Sequence, residues 1–100
     1  MVAGATLAIK NARKRAKIAD KNIVQGIKGR IALIERKFNQ ASEYLADFYQ
    51  AFPTTQNVVF YTLALKNSNK EQVAISVLEQ HLVNDKNPQV QEFLATLYIE

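Results

Sequence analysis

Between residues 41 and 52 the large apolar side chains fall at helical intervals. Ala41, Tyr44, Leu45, Phe48, Tyr49 and Phe52 stand at i, i+3, i+4, i+7, i+8 and i+11. That spacing lines up one face of an α-helix, and such a face is stable only when another element covers it. Pro53 stops the run, and Thr54 or Thr55 is placed to cap the next element. The same grammar extends along the chain. Residues 22–37 place Ile23, Val24, Ile27, Ile31 and Ile34 on one face, which predicts a helix docked through those residues. Gly26 and Gly29 lie within it, at up to ~1 kcal/mol each relative to alanine. They either loosen that helix or admit a neighbour at close range.

Residues 55–67 are apolar nearly all round. Val58, Val59, Phe60 and Tyr61 favour a strand, but a lone strand has no partner elsewhere, so a central two-sided helix is expected. From Ser68 to Pro88, Ala74, Val77, Leu78 and Leu82 mark another helix, with Ser68 and Glu71 spaced as a capping box. Pro88 suits a first helical position, with Asn87 as its cap. The final run, 88–100, carries Val90, Phe93, Leu94, Leu97 and Tyr98 at helical spacing and ends without a stop signal. One more helix, or association through this open end, is expected to cover Phe93, Leu97 and Tyr98. At the other end, residues 5–20 predict a sixth helix. Its stripe is mostly alanine and buries little area, so it is expected to be the least firmly docked. The fold class expected is all-α, with about six helices.

Charge divides the chain. Residues 1–37 carry ten Lys or Arg against two acids, a net +8, whereas residues 38–100 carry three against seven, a net −4. The densest part is Lys10, Arg13, Lys14, Arg15 and Lys17, which suits a solvated helix face, an acidic protein or a phosphate backbone. Base-stacking aromatics do not accompany it, and alanines are poor membrane anchors. The chain has no cysteine, which excludes disulfides, thiolate metal sites and a cysteine nucleophile. No run approaches the ~18 apolar residues of a membrane span. The apolar start at Val2 to Ile9 precedes its basic residues, unlike a secretion signal, so cytoplasm and bacterial periplasm both stay open.

Catalytic signals are weak. His81 is the only histidine, sits beside Leu78 and Leu82, and reads as structural. Glu43 and Asp47 form an i, i+4 pair on a solvated face. There is no HExxH and no glycine-rich phosphate loop, so neither an enzyme nor a cofactor is expected.

Ala41, Leu45 and Tyr49 align with Ala74, Leu78 and Leu82 at an offset of 33, and Pro53 with Pro88 at 35. Each stretch is helix, turn, helix, turn. This resembles the tetratricopeptide repeat (TPR) family, whose unit is a helical hairpin of about 34 residues. In that pattern the second helix carries a small residue where it crosses the first, here Ala41 and Ala74. Leu63–Ala64 and Leu94–Ala95 are similar to the pair on the first helix, with Tyr98 at the aromatic spacing and Gly29 at the small position. The family's first-helix Trp is absent, with Phe60 nearest to it. Anchoring on Ala74 puts Thr62 at the small site; anchoring on Pro88 puts Ala64 there.

The resemblance covers residues 22–100. It implies a basic N-terminal helix at 1–21, repeats at 22–54 and 55–87, and the first helix of a third at 88–100, as in a piece of a larger bacterial protein. It also implies a right-handed superhelix of antiparallel hairpins whose concave groove binds a partner peptide or helix. Lys28, Tyr61 and Lys66 are the residues expected to line that groove. The function expected is therefore a non-enzymatic protein scaffold; the alternative is binding of nucleic acid or an anionic surface through the basic third.

Overall fold

The computed structural model describes residue 17 and residues 20–99. Among the described residues the chain is all-α, with five helices and no strand. They are α1 (residues 20–34), α2 (Phe38–Ala51), α3 (Thr55–Asn67), α4 (Glu71–Asn84) and α5 (Pro88–Ile99). Each connection is short, at residues 35–37, 52–54, 68–70 and 85–87. Links this short force each helix back alongside the one before it. The expected helix over 5–20 lies outside the described residues, apart from Lys17 and Asp20. None of the described helices is long and apolar enough to cross a membrane.

The helix ends fall at regular positions. Residues 34, 38, 51 and 55 recur 33 positions on, as 67, 71, 84 and 88. The conformations recur too. Arg36 and Asn69 both take φ 61°, in the left-handed region. After α1, Lys37 N–H donates to Ala32 O at 2.8 Å and Arg36 N–H to Leu33 O at 3.1 Å. After α3, Lys70 N–H donates to Leu65 O at 2.9 Å and Asn69 N–H to Lys66 O at 3.3 Å. These paired bonds are Schellman closures, which satisfy the last carbonyls of each helix. The prolines are not equivalent in this register. Pro53 lies in a connection, whereas Pro88 opens α5.

Two local expectations hold. Thr54 caps α3, its side chain accepting from Asn57 N–H at 3.2 Å. Asn87 Oδ1 accepts from Gln89 N–H at 2.8 Å, ahead of the helix that Pro88 begins. A third does not hold. Ser68 closes α3 instead of opening α4: its hydroxyl donates to Ala64 O and Leu65 O, and α4 starts at Glu71 after Lys70 with no side-chain cap. The left-handed turn at Asn69 comes between Ser68 and α4, so a capping box has no helix to act on there.

The core has two clusters. Ala32, Ala41, Leu45 and Ala64 form one, joined by Leu33, Phe48 and Phe60. Val58, Leu65, Ala74, Leu78, Val90, Leu94 and Leu97 form the other. Helix α3 feeds both, as an all-round apolar helix in a central position must. Tertiary packing on two sides overrides the strand preference of its Val-Val-Phe-Tyr run. At the C-terminal end, Leu97 is buried and Phe93 half-buried, so most of the stripe expected to be uncovered is already absorbed. Tyr98 is 58% exposed, and its hydroxyl bonds Glu79 on α4.

Helix α1 departs most from expectation. Its isoleucines do not face the core; Gly26, Gly29 and Ala32 do. A Cβ added at Gly26 would sit 2.6 Å from ring carbons of Phe48, and one at Gly29 would sit 2.6 Å from Leu45 Cδ2 and Cγ. The glycines therefore admit α2 at close range, the second of the two readings of this pair. Any side chain there must displace a packed leucine or phenylalanine.

Two substitutions test this packing. Gly29→Ala gains up to ~1 kcal/mol in helix propensity but overpacks against Leu45 at about 1–3 kcal/mol. The melting temperature is expected to fall, and a rise would show that α2 yields. Leu78→Ala, at a fully buried site, is expected to cost about 2–5 kcal/mol in a denaturant titration.

Candidate functional site

Polar chemistry concentrates where α2, α3 and α4 meet. His81 is 7% exposed, and both ring nitrogens are engaged. Nε2 lies 3.0 Å from Asp85 Oδ2, and Nδ1 lies 2.6 Å from the Tyr49 hydroxyl. Where Nε2–H donates to Asp85, Nδ1 is left facing the Tyr49 hydroxyl, which can donate to it. The Thr55 hydroxyl donates to the same Asp85 oxygen. Asp85 is held below the usual carboxylate range, by the Thr55 hydrogen bond first and by His81 next. Burial pushes the Tyr49 phenol up, with the Asp85 charge adding to it. Tyr49, His81 and Asp85 line a cleft together with Pro53, Gln80 and Asn84. The arrangement is a clamp. It ties α2 to α4 and the start of α3 to the end of α4. The structural reading of His81 fits these partners.

The second concentration is apolar and lies outside. Ile23, Val24, Ile27 and Ile31 are each 45–49% exposed, and Ile34 is 83% exposed. Successive residues on a helix turn by about 100°, so these five form one stripe directly opposite Gly26, Gly29 and Ala32. Lys21 and Lys28 flank one side of the stripe and Arg30 the other, all exposed. Lys28 Nζ sits 5.9 Å from the centre of the Tyr44 ring, within cation–π range. At its C-terminal end the stripe runs into an apolar hollow lined by Arg30, Leu33, Ile34, Phe60 and Leu63. The amphipathic pattern of 22–37 is legible in the sequence; its orientation is not. The signal that reverses it is the small-residue spacing of Gly26, Gly29 and Ala32.

The three expected groove residues occupy different surroundings. Lys28 stands on the solvent side of α1. Tyr61 is half-buried against both core clusters, its ring centre 5.9 Å from that of Tyr49. Lys66 lies in the last turn of α3. Of the basic stretch, Lys17 is helical and exposed, while Lys10, Arg13, Lys14 and Arg15 lie outside the described residues. Glu43 and Asp47 are both exposed, and Asp47 accepts from Gln25 Nε2 at 3.3 Å, tying α2 to α1.

The clamp has a pH signature. Because the folded state lowers the pKa of Asp85, its contribution is fully present above the ordinary carboxylate pKa and fades as pH falls through the lower folded value. Asp85→Asn is expected to flatten the loss of melting temperature on acidification below about pH 5; an unchanged acid limb would remove Asp85 from the clamp. Comparison of the chain with protein-family models, with curated proteins and with solved structures found no match.

Proposed function

We propose that this chain is a non-enzymatic protein-interaction scaffold built of TPR-like helical hairpins, and that the outer face of α1 is a docking surface for a partner segment. The observation that carries the docking role is the apolar stripe itself. Four β-branched side chains stand just under half exposed, and a fifth, Ile34, mostly exposed, on one face of a helix whose opposite face is already packed. Isolated exposed apolar residues are ordinary, but a continuous stripe rimmed by charge marks an interaction site. Covering the exposed remainder would gain on the order of 1 kcal/mol per side chain. The recurrence of helix ends and turn conformations at an offset of 33 supports the repeat reading, as do the fully buried Ala41 and Ala74 at corresponding positions. In this reading the superhelix is right-handed; of the residues expected in its groove, Lys28 flanks the α1 stripe, while Tyr61 and Lys66 belong to α3.

The test is a double substitution, Ile27→Ser with Ile31→Ser. Serine is close to isoleucine in helix propensity, and both sites lie on the solvent side. Each of the two is about half covered, so the melting temperature is expected to fall modestly while the chain stays helical and folds cooperatively. Partner capture from cell extract, read after nuclease treatment and a salt wash, is expected to be lost. Capture that survives the double substitution would refute docking on α1. Capture that disappears with nuclease or salt would favour nucleic-acid binding through the basic third.

A further inference from the structure

The stripe on α1 is specific about its occupant. Val24, Ile27, Ile31 and Ile34 succeed one another at spacings of three, four and three. These stand at a and d positions over two heptads, a spacing by which one helix meets another side by side, with Ile23 widening the face. In that register Lys21 and Lys28 stand on one flank of the seam and Arg30 on the other, where flanking charges choose the partner. We infer that the α1 seam docks an acidic amphipathic helix of another protein, one with leucine- or isoleucine-type residues along its seam and Glu or Asp beside them. This assignment rests on the proposed docking role of α1 and adds the chemistry of the partner.

Charge removes the nearer alternatives. A second copy docking α1 on α1 would bring Lys21, Lys28 and Arg30 against their own equivalents. The chain's own first residues offer Lys10, Arg13, Lys14 and Arg15 with an alanine stripe, which is the wrong charge and little bulk. The acidic half of a second copy offers no continuous seam: α5 shows Tyr98 and Ile99 only at its last turn, among Gln91, Glu92, Ala95 and Thr96, and on α4 the exposed Val73 and Val83 are separated by Ser76 and Gln80. What remains is an acidic partner with its own apolar stripe. Its carboxylates would meet three cations at the rim of the contact, where they choose the partner and speed encounter more than they hold it.

The test uses the intact chain and two synthetic helices with leucine at the a and d positions. One carries glutamate at e and g, the other lysine. Titration followed by fluorescence anisotropy is expected to show the glutamate helix binding on the order of tenfold or more tighter, with that margin shrinking as salt rises. Lys28→Glu with Arg30→Glu is expected to reverse the preference, with only a small fall in melting temperature from the lost Lys28–Tyr44 contact. Ile27→Ser with Ile31→Ser is expected to abolish binding of both. Equal affinity for the two helices, a preference for lysine, or no binding of either overturns the acidic-partner assignment. The extract experiment judges docking on α1 separately, so the two failures are distinguishable. A concentration-dependent doubling of mass in sedimentation, lost with Ile27→Ser and Ile31→Ser, would place a second copy on the seam and also overturn it.

Discussion

The contact of Gly26 and Gly29 with Phe48 and Leu45 sets the rotation of α1, and the arrangement of the N-terminal half depends on it. A helix with bulky residues on every side would dock through its largest apolar face. Here the close approach is possible only on the glycine side, so the isoleucines turn outward. The glycines give up helix propensity, and what they provide is a short interaxial distance. That distance lets Leu45 reach 1% exposure between α1 and α3. The same rotation gives the surface its character. One helix contributes small residues to the core and a bulky hydrophobic face, edged with lysine and arginine, to the outside.

Much of this fold is legible in the sequence because its elements are local. The intervals of Ala41 to Phe52 produce α2, Pro53 and Thr54 separate it from α3, and Asn87 with Pro88 opens α5. Each of these is decided within a few residues by spacing, by a missing N–H or by a side-chain acceptor. The parts that sequence reasoning misplaces are decided elsewhere. Ser68 satisfies the capping-box pattern, but the carbonyls of α3 lie within its reach and take its hydroxyl. The stripe of α1 is amphipathic whichever way it points. Its direction depends on α2, and periodicity alone carries no information about a neighbour's shape. The stripe of α5 expected to be open is covered at Leu97 and partly at Phe93 but not at Tyr98, whereas the isoleucine stripe of α1 expected to be docked is turned outward, and this moves the candidate surface from α5 to α1.

Polar and apolar forces divide the work. Beside the hydrophobic clusters, Tyr49, His81, Asp85 and Thr55 bind three helices through side chains that would be costly to bury alone. Among the described residues no buried polar side-chain atom lacks a hydrogen-bond partner. The network therefore adds directional constraint. It fixes how α2 sits relative to α4, which helix-to-helix burial alone would leave free to slide.

Helix α3 belongs to both clusters, and Tyr61 packs against each. This has a consequence for how the molecule opens. A solenoid of nearest-neighbour contacts tends to fray from its ends, because a terminal helix gives up one interface and an internal one gives up two. Losing α5 leaves the first cluster intact, and losing α1 leaves the second. Losing α3 dissolves both at once. Amide protons in the middle of α3 should therefore exchange only when the whole chain unfolds, while those of α1 and α5 exchange through smaller openings. A partner seated on α1 would slow the exchange of that helix first, and the docking event would register as a change in the order in which the described helices come apart.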